Sequence, residues 1–505
     1  MHKKKLIVKG INQMNKKSKF LILLIAIIFL GSFLRLNDIS KESFWLDEGA
    51  TALTIKKYNL PELLKNINEE NKILPEYYPA GDLPAYYFSL KVWSMLFGIN
   101  ELSLRSFSAV FGILTLILVF YLANLLFNKK IALLSAFFSA INLTLILYSQ
   151  EARVYSFVLF FSLLSIIFLV KYLKEEKWAY IVGFTICNII ILYSQFSWLI
   201  FVFAEGLYAL FVLYRIYKIK MKFDKKLFIA LFILGVVSMP VIGKAFFSDI
   251  DTADTEKVYG RPDITRIAEF GVQLFTYVPA KDDILKAVDN FPKNIISYEF
   301  SLILSVSLIS VVTGILFLIG IKNSKKHIAS LLLVFMFFAP IAIILVSSLI
   351  LPKFSLFQIR QLIYVIPIYL IFVSLGCFKV KYKNAIIILI IILSILPIHY
   401  YYDKTLKQEF REVAELLPQN EIIFTNIPSA QVALKYYYGE SDNIIGIKSI
   451  DELKPHLVGI DSFWILFTFT KYSDPDGKIK NYINSNYILL EKIQFHDIDL
   501  LHYGQ

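Results

Sequence analysis

The sequence predicts a polytopic α-helical membrane protein that ends in a small α/β domain. Three observations carry this. Of 505 residues, 57% are apolar and only 18% are charged, and the mean hydropathy is +0.61. The apolar residues gather into runs long enough to cross roughly 30 Å of hydrocarbon. After residue 402 those runs stop, and short strand-like and helix-like segments alternate instead.

Eleven candidate spans lie near residues 20–36, 106–127, 131–149, 153–170, 178–195, 197–214, 227–247, 298–320, 328–351, 361–378 and 384–401. The first follows a lysine-rich start and shows no small-residue cleavage site, so it reads as an uncleaved signal anchor. With the N-terminus in the cytoplasm, the six inside segments carry 24 Lys and Arg, whereas the short outside links 150–152, 196 and 352–360 carry only Lys353 and Arg360. That asymmetry predicts a multi-pass plasma-membrane protein with a cytoplasmic N-terminus and an extracytoplasmic C-terminal domain. The expected division is a transmembrane domain over 1–401 and an extracytoplasmic domain over 402–505. The former has a first outer loop at 37–105 and a second large one at 248–297. Within the first loop, LPAYYFSLKVWSMLFG (83–98) suits a helix lying in the membrane interface, with a short extra span as the competing reading.

The net charge of +12 comes from lysines clustered between apolar runs, which reports topology and argues against nucleic acid. Cys187 and Cys377 fall inside apolar segments and the six histidines show no metal-ligand spacing, which argues against a disulfide framework and a zinc site. In the C-terminal part, EIIFTN (421–426), NIIGI (443–447) and DSFWILFTF (461–469) read as buried strands. The helix-like segments REVAELLP, SAQVALKYYYGE, SIDELKPHL and GKIKNYINSNY separate or follow them. This alternation predicts an α/β layer with right-handed crossovers. It lacks a Gly-rich phosphate loop, so nucleotide binding is not assigned.

Charged residues gather at one boundary: Asp47 with Glu48, Asp82, Glu101 with Arg105, Glu151 with Arg153, and Arg360. Ionisable groups at a membrane edge are costly unless paired or hydrated. Structural explanations exist for each. Asp47 could cap a helix through GATALTIKKY, the Glu–Arg couples could be internal ion pairs, and Arg360 could snorkel. The chemical explanation starts from the outer face, where nucleotide sugars are not available and a donor must already be in the membrane. A carboxylate can take a proton from an acceptor hydroxyl, and arginines can stabilise a departing phosphate.

At these residues the sequence resembles the membrane glycosyltransferases of the protein O-mannosyltransferase and aminoarabinose-transferase type, in the GT-C fold class. The carrying motifs are WLDEGA after the first span, LPAYYFSLKVWSMLFG followed by ELSLRSFSAVFG, YSQEARVYSF, and the late FQIRQLIYVIP. The resemblance implies a GT-C domain, a polyprenyl-phosphate-linked sugar donor, and an outer-face glycan, lipid or protein acceptor. It implies Asp47 as catalytic base, Glu151 and Arg153 as a second acidic and basic element of the same cavity, and Arg360 at the donor phosphate. Glu48, Asp82 and Arg105 complete the supporting, substrate-binding set. Where relatives commonly show His-Pro-Pro, this chain has Asp82, Leu83 and Pro84, which leaves that His role unfilled. Asp47, Glu48 and Glu151 would permit Mg2+ or Mn2+ without demanding either.

The expectation is therefore inverting single-displacement sugar transfer at the outer face. A lipid-linked-sugar flippase and a polysaccharide polymerase or ligase are the alternatives. No inverted repeat is visible to favour transport, and the long first loop argues against the polymerase or ligase by analogy.

Overall fold

A computed structural model of the chain describes residues 2–65, 84–221, 223–247, 262–277, 298–324, 328–350, 357–419, 421–439 and 441–505. Hydrocarbon leaves no water to satisfy the backbone, so helices dominate the apolar part. Among the described residues, eight helices are long and apolar enough to cross a membrane: Ser18–Leu36, Glu101–Leu126, Tyr155–Glu175, Phe196–Ile219, Lys225–Gly243, Phe300–Ser324, Ser330–Ser348 and Lys383–Asp403. The chain is a multi-pass membrane protein.

The other three predicted runs are helical but differ from straight spans. Run 131–149 is broken into Lys129–Ile141 and Leu143–Ser149, bent by 60° at Asn142. Asn142 caps the second helix by accepting from the Leu145 N–H, and its amide donates to the Leu274 and Phe275 carbonyls. The break is thus covered by side chain and chain, as non-helical backbone inside a bundle requires. Runs 178–195 and 361–378 give the shorter helices Trp178–Leu192 and Val365–Cys377. The latter crosses helix Tyr298–Ser324 closely: a β-carbon on Gly320 or Gly376 would lie 2.0 Å from the Phe372 or Leu316 carbonyl oxygen.

The aromatic stretch at 83–98 forms helix Pro84–Phe97, whose 14 residues reach only about 21 Å. Tyr86, Tyr87 and Leu90 are buried while Met95 and Leu96 are exposed, so one side packs on the bundle. That length is short of the roughly 20 residues that a straight span needs.

The C-terminal part is a five-stranded sheet, β1 (Ile423–Thr425), β2 (Ile444–Gly446), β3 (Ser462–Thr468), β4 (Ile488–Phe495) and β5 (Ile498–Gly504), in the order β2-β1-β3-β5-β4. β1 pairs parallel with β2 and β3, and β5 pairs antiparallel with β3 and β4. Both faces of β3 are buried. Phe463, Ile465 and Phe467 pack with Ile479 and Ile483, while Trp464 and Leu466 pack with Phe410, Val413 and Leu434. The three predicted strands are β1, β2 and β3. The hairpin β4–β5 leaves no mark in the sequence pattern, because β4 is exposed along most of its length and shows no apolar alternation. Its turn uses Asp497 at φ 54°, without the glycine that usually marks such turns.

Helix Leu46–Lys57 packs directly on helix Ala430–Tyr438 of this domain, where Ala50 and Leu53 meet Val432. A β-carbon on Gly49 would lie 2.5 Å from Ala433 Cα. Gly49→Ala should therefore destabilise the protein by about 1–3 kcal/mol, although Ala is the better helix former by about 1 kcal/mol. Thermal unfolding in detergent measures this, and adding Ala433→Gly should recover only part of the loss, because the Cα remains.

Candidate functional site

Successive helical side chains point about 100° apart, so Asp47 and Glu48 face different surroundings from the first turn of helix Leu46–Lys57. The N-cap is Trp45, without a side-chain cap, so Asp47 is not the cap that the sequence allowed. Instead Gln408 Oε1 lies 3.4 Å from the Leu46 N–H, and the Tyr437 hydroxyl accepts from Phe44 N–H. Groups from the C-terminal part thus serve the start of this helix.

Glu48 turns inward and is fully buried. Arg105 donates through Nε to Oε1 (2.8 Å) and through Nη2 to Oε2 (2.7 Å). The Ala152 N–H donates to Oε1 (2.7 Å) and Lys407 Nζ to Oε2 (3.1 Å). The remaining Arg105 N–H groups reach the carbonyls of Ile39, Glu42 and Ser43 at 2.9, 2.7 and 2.9 Å. All five donors of the guanidinium are thus matched, and the Phe44 ring lies 5.2 Å from it. Burial alone would raise the Glu48 carboxyl, but Arg105, Lys407 and the Ala152 N–H hold it down at about 2. Both groups thus have their partners within the protein. Arg105 is a clamp on Glu48 rather than a cation facing substrate, and Glu48 offers no free oxygen to a ligand or metal. Glu101, a candidate partner for Arg105, instead accepts from Arg411 Nη1 (3.2 Å) and the Tyr437 hydroxyl (2.7 Å).

Asp47 points the other way, with its side chain about a quarter exposed and its Oδ2 3.4 Å from Arg360 Nη1. Gln358 Oε1 holds Arg360 Nε at 2.6 Å. Arg153 Nη1 donates to Thr51 Oγ1 (3.0 Å) and lies 3.4 Å from the Asp47 carbonyl. Arg153 and Arg360 therefore both bear on Asp47. Glu151, in the turn between Leu143–Ser149 and Tyr155–Glu175, is buried, and its Oε2 has no hydrogen-bond partner among the described residues. Burial pushes its carboxyl up to about 7, Glu48 and Asp47 add to that, and Lys407 and Arg360 oppose it. Asp82 lies outside the described residues.

Sequence reasoning missed Lys407, Gln150 and Gln408. Gln150 donates through Nε2 to the Asn37 carbonyl (2.7 Å) and accepts from the Tyr401 hydroxyl (2.7 Å), tying the 150–153 turn to both chain ends of the bundle. Lys407 lies beside Glu48 with only its edge open to solvent. Desolvation lowers its ammonium and Arg105 adds to this, against Glu48 and Glu151. The available signal was position alone: a lysine just past the last span, at the bundle end that carries Asp47. Among the described residues, no three His, Cys, Asp or Glu side chains are grouped to hold a metal ion. Asp47, Glu48 and Glu151 are thus not grouped as the divalent-metal set that the sequence permitted.

The helical bundle with its C-terminal mixed sheet is GT-C-like in fold. A family model described as dolichyl-phosphate-mannose-protein mannosyltransferase matches residues 80–242, which bears out the resemblance read from the motifs. No curated protein sequence matches the chain. Among solved structures, the oligosaccharyltransferase of Archaeoglobus fulgidus in its apo form is similar at 13% identity and TM-score 0.53, over 90% of this chain and 70% of that one. The same enzyme tethered to an acceptor peptide is similar at 11% identity and TM-score 0.52, over 92% and 72%. ArnT from Cupriavidus metallidurans bound to undecaprenyl phosphate aligns at 10% identity and TM-score 0.45, over 96% and 98%.

The clamp should be measurable by pH. The folded Glu48 carboxyl sits at about 2 against 4.5 unperturbed, so its electrostatic contribution, about 3 kcal/mol, is fully present above about pH 4.5. It is lost as pH falls through about 2. At neutral pH Arg105→Met should cost about 3–5 kcal/mol, because it strands a buried carboxylate. In thermal unfolding, its deficit against the wild type should shrink as the medium is acidified.

Proposed function

We propose that the chain transfers a sugar from a polyprenyl-phosphate donor to an acceptor hydroxyl on the outer face of the membrane. The observation that carries this reading is the meeting of the partly exposed Asp47 carboxylate with the Arg360 guanidinium at 3.4 Å, with Arg153 beside the same turn, at one end of a membrane bundle. A base and two cations are what displacement from a glycosyl phosphate demands. The family match and the GT-C fold support it.

In this reading the acceptor hydroxyl gives its proton to Asp47 as its oxygen attacks the anomeric carbon. The new carbon–oxygen bond forms on the face opposite the phosphate, so configuration inverts. The old bond breaks with its electron pair on the phosphate oxygen, and Arg360 and Arg153 take up the charge that develops there. Glu151, whose buried Oε2 still has acceptor capacity and which feels the charges of Asp47 and Arg360, receives a substrate hydroxyl. Arg105 and Glu48 act at a distance by fixing the helix that carries Asp47.

The test is transfer from labelled polyprenyl-phosphate sugar by purified protein in detergent, where nothing remains to be transported. Asp47→Asn should keep its melting transition and lose about 10²–10⁴-fold in rate. Arg360→Ala should weaken donor use by at least about tenfold, the loss of a charge-assisted hydrogen bond. Unchanged transfer by the Asn variant would remove Asp47 as the base. Absence of any turnover in detergent, together with movement of the lipid-linked sugar in vesicles, would replace transfer by transport.

A further inference from the structure

The chain between the last span and the sheet domain lies across the acidic helix. Ser43 Oγ donates to the Gln408 carbonyl (2.7 Å), the Leu406 N–H donates to Glu42 Oε1, and Gln408 Oε1 faces the Leu46 N–H. Between these contacts Lys407 enters the site, with its side chain 11% exposed. Its Nζ donates to Glu48 Oε2 (3.1 Å) and to the Gln150 carbonyl (3.2 Å).

Arg105 already balances the single charge of Glu48 and meets both of its oxygens. A second, largely enclosed cation is not needed for neutrality, and desolvating an ammonium costs several kcal/mol. What Lys407 adds is a bridge. One of its acceptors is on the helix that carries Asp47, and the other is on the turn that carries Glu151 and Arg153. The backbone that holds Lys407 belongs to the segment leading into the sheet domain, which docks independently through Gly49 against Ala433 and through the Tyr437 hydroxyl on Glu101.

We infer that Lys407 is a positioning residue of the transfer reaction, holding the Glu151–Arg153 turn in register with Asp47, and that the C-terminal domain is through it a working part of the catalytic site. The inference rests on the proposed transfer reading. Loss of the bridge should act on the chemical step more than on the lipid phosphate, since Arg360, held by Gln358 on a separate segment, keeps its place on Asp47.

The experiment uses full-length protein in detergent, with polyprenyl-phosphate mannose as the donor probe and undecaprenyl phosphate as the binding probe. Lys407→Met should lower kcat by about tenfold to a hundredfold, the scale of a small misalignment, while the Kd for undecaprenyl phosphate stays close to that of the wild type. Lys407→Arg, which keeps a cation able to reach both acceptors, should restore most of the rate. Wild-type kcat in the Met variant overturns the inference. So does a loss of undecaprenyl phosphate binding that accounts for the whole rate loss, since Lys407 would then be a phosphate ligand. If the Met variant has no melting transition, the Arg variant decides: near-normal kcat supports the bridge, and a kcat as low as that of Asp47→Asn with normal melting refutes it. Turnover by the wild type separates these outcomes from failure of the transfer reading, in which wild type and Asp47→Asn would be equally silent.

Discussion

The end of the bundle that carries Asp47 depends on one buried ion pair, Glu48 with Arg105. Withdrawing two charges from water costs several kcal/mol each, and that cost is recovered only when every donor and acceptor finds a partner. Here the match is complete on the guanidinium, and three of its five acceptors are main-chain carbonyls between Ile39 and Ser43. The pair therefore fixes the path of the chain from the first span into the acidic helix. Through Ala152 it also fixes the turn between the bent span and the next one. Asp47 is aimed as a by-product of its neighbour being immobilised.

Three consecutive residues then have three separate duties, set by helical geometry. Glu48 faces the bundle, Asp47 faces Arg360, and Gly49 faces the backbone of Ala433. None can be exchanged with the next without placing a charge against an apolar wall or a side chain against backbone. The balance of charge follows. Arg105, Arg153, Arg360 and Lys407 outnumber the carboxylates of Asp47 and Glu48, and Glu151 at about 7 is only partly ionised near neutrality. A surplus of that sign favours an anion such as a phosphate nearby.

Much of this was legible in the sequence, and the reasons differ by feature. Spans are legible because hydrocarbon imposes a length and a composition on each of them separately. The Asp47–Glu48 pair is legible because charge beside a membrane is costly. The bend at Asn142 was not, because an Asn within an apolar run looks the same whether it sits in a straight helix or caps a second one. β4 was not, because an exposed edge strand lacks the alternation that marks half-buried ones. The division of labour between Asp47 and Glu48 depends on partners at Arg105, Ala152 and Lys407, which lie 57, 104 and 359 residues from Glu48. No local pattern can announce such partners.

Those separations also bear on how the site is held. Closing a long loop costs little more than closing a short one, since the entropy grows only with the logarithm of length. Drawing one carboxylate's partners from three distant segments is therefore affordable, and it yields a site whose cations are placed by folding before substrate arrives. Preorganised charge of this kind needs no rearrangement at the moment of reaction. The cations divide accordingly: Arg105 and Lys407 are bound to Glu48 and main chain, Arg153, itself buried, meets Thr51 and the Asp47 carbonyl, and Arg360 meets the Asp47 carboxylate. With Glu48 and its partners committed to one another, the partly exposed acid of the pair is Asp47, on another face of the same helix turn.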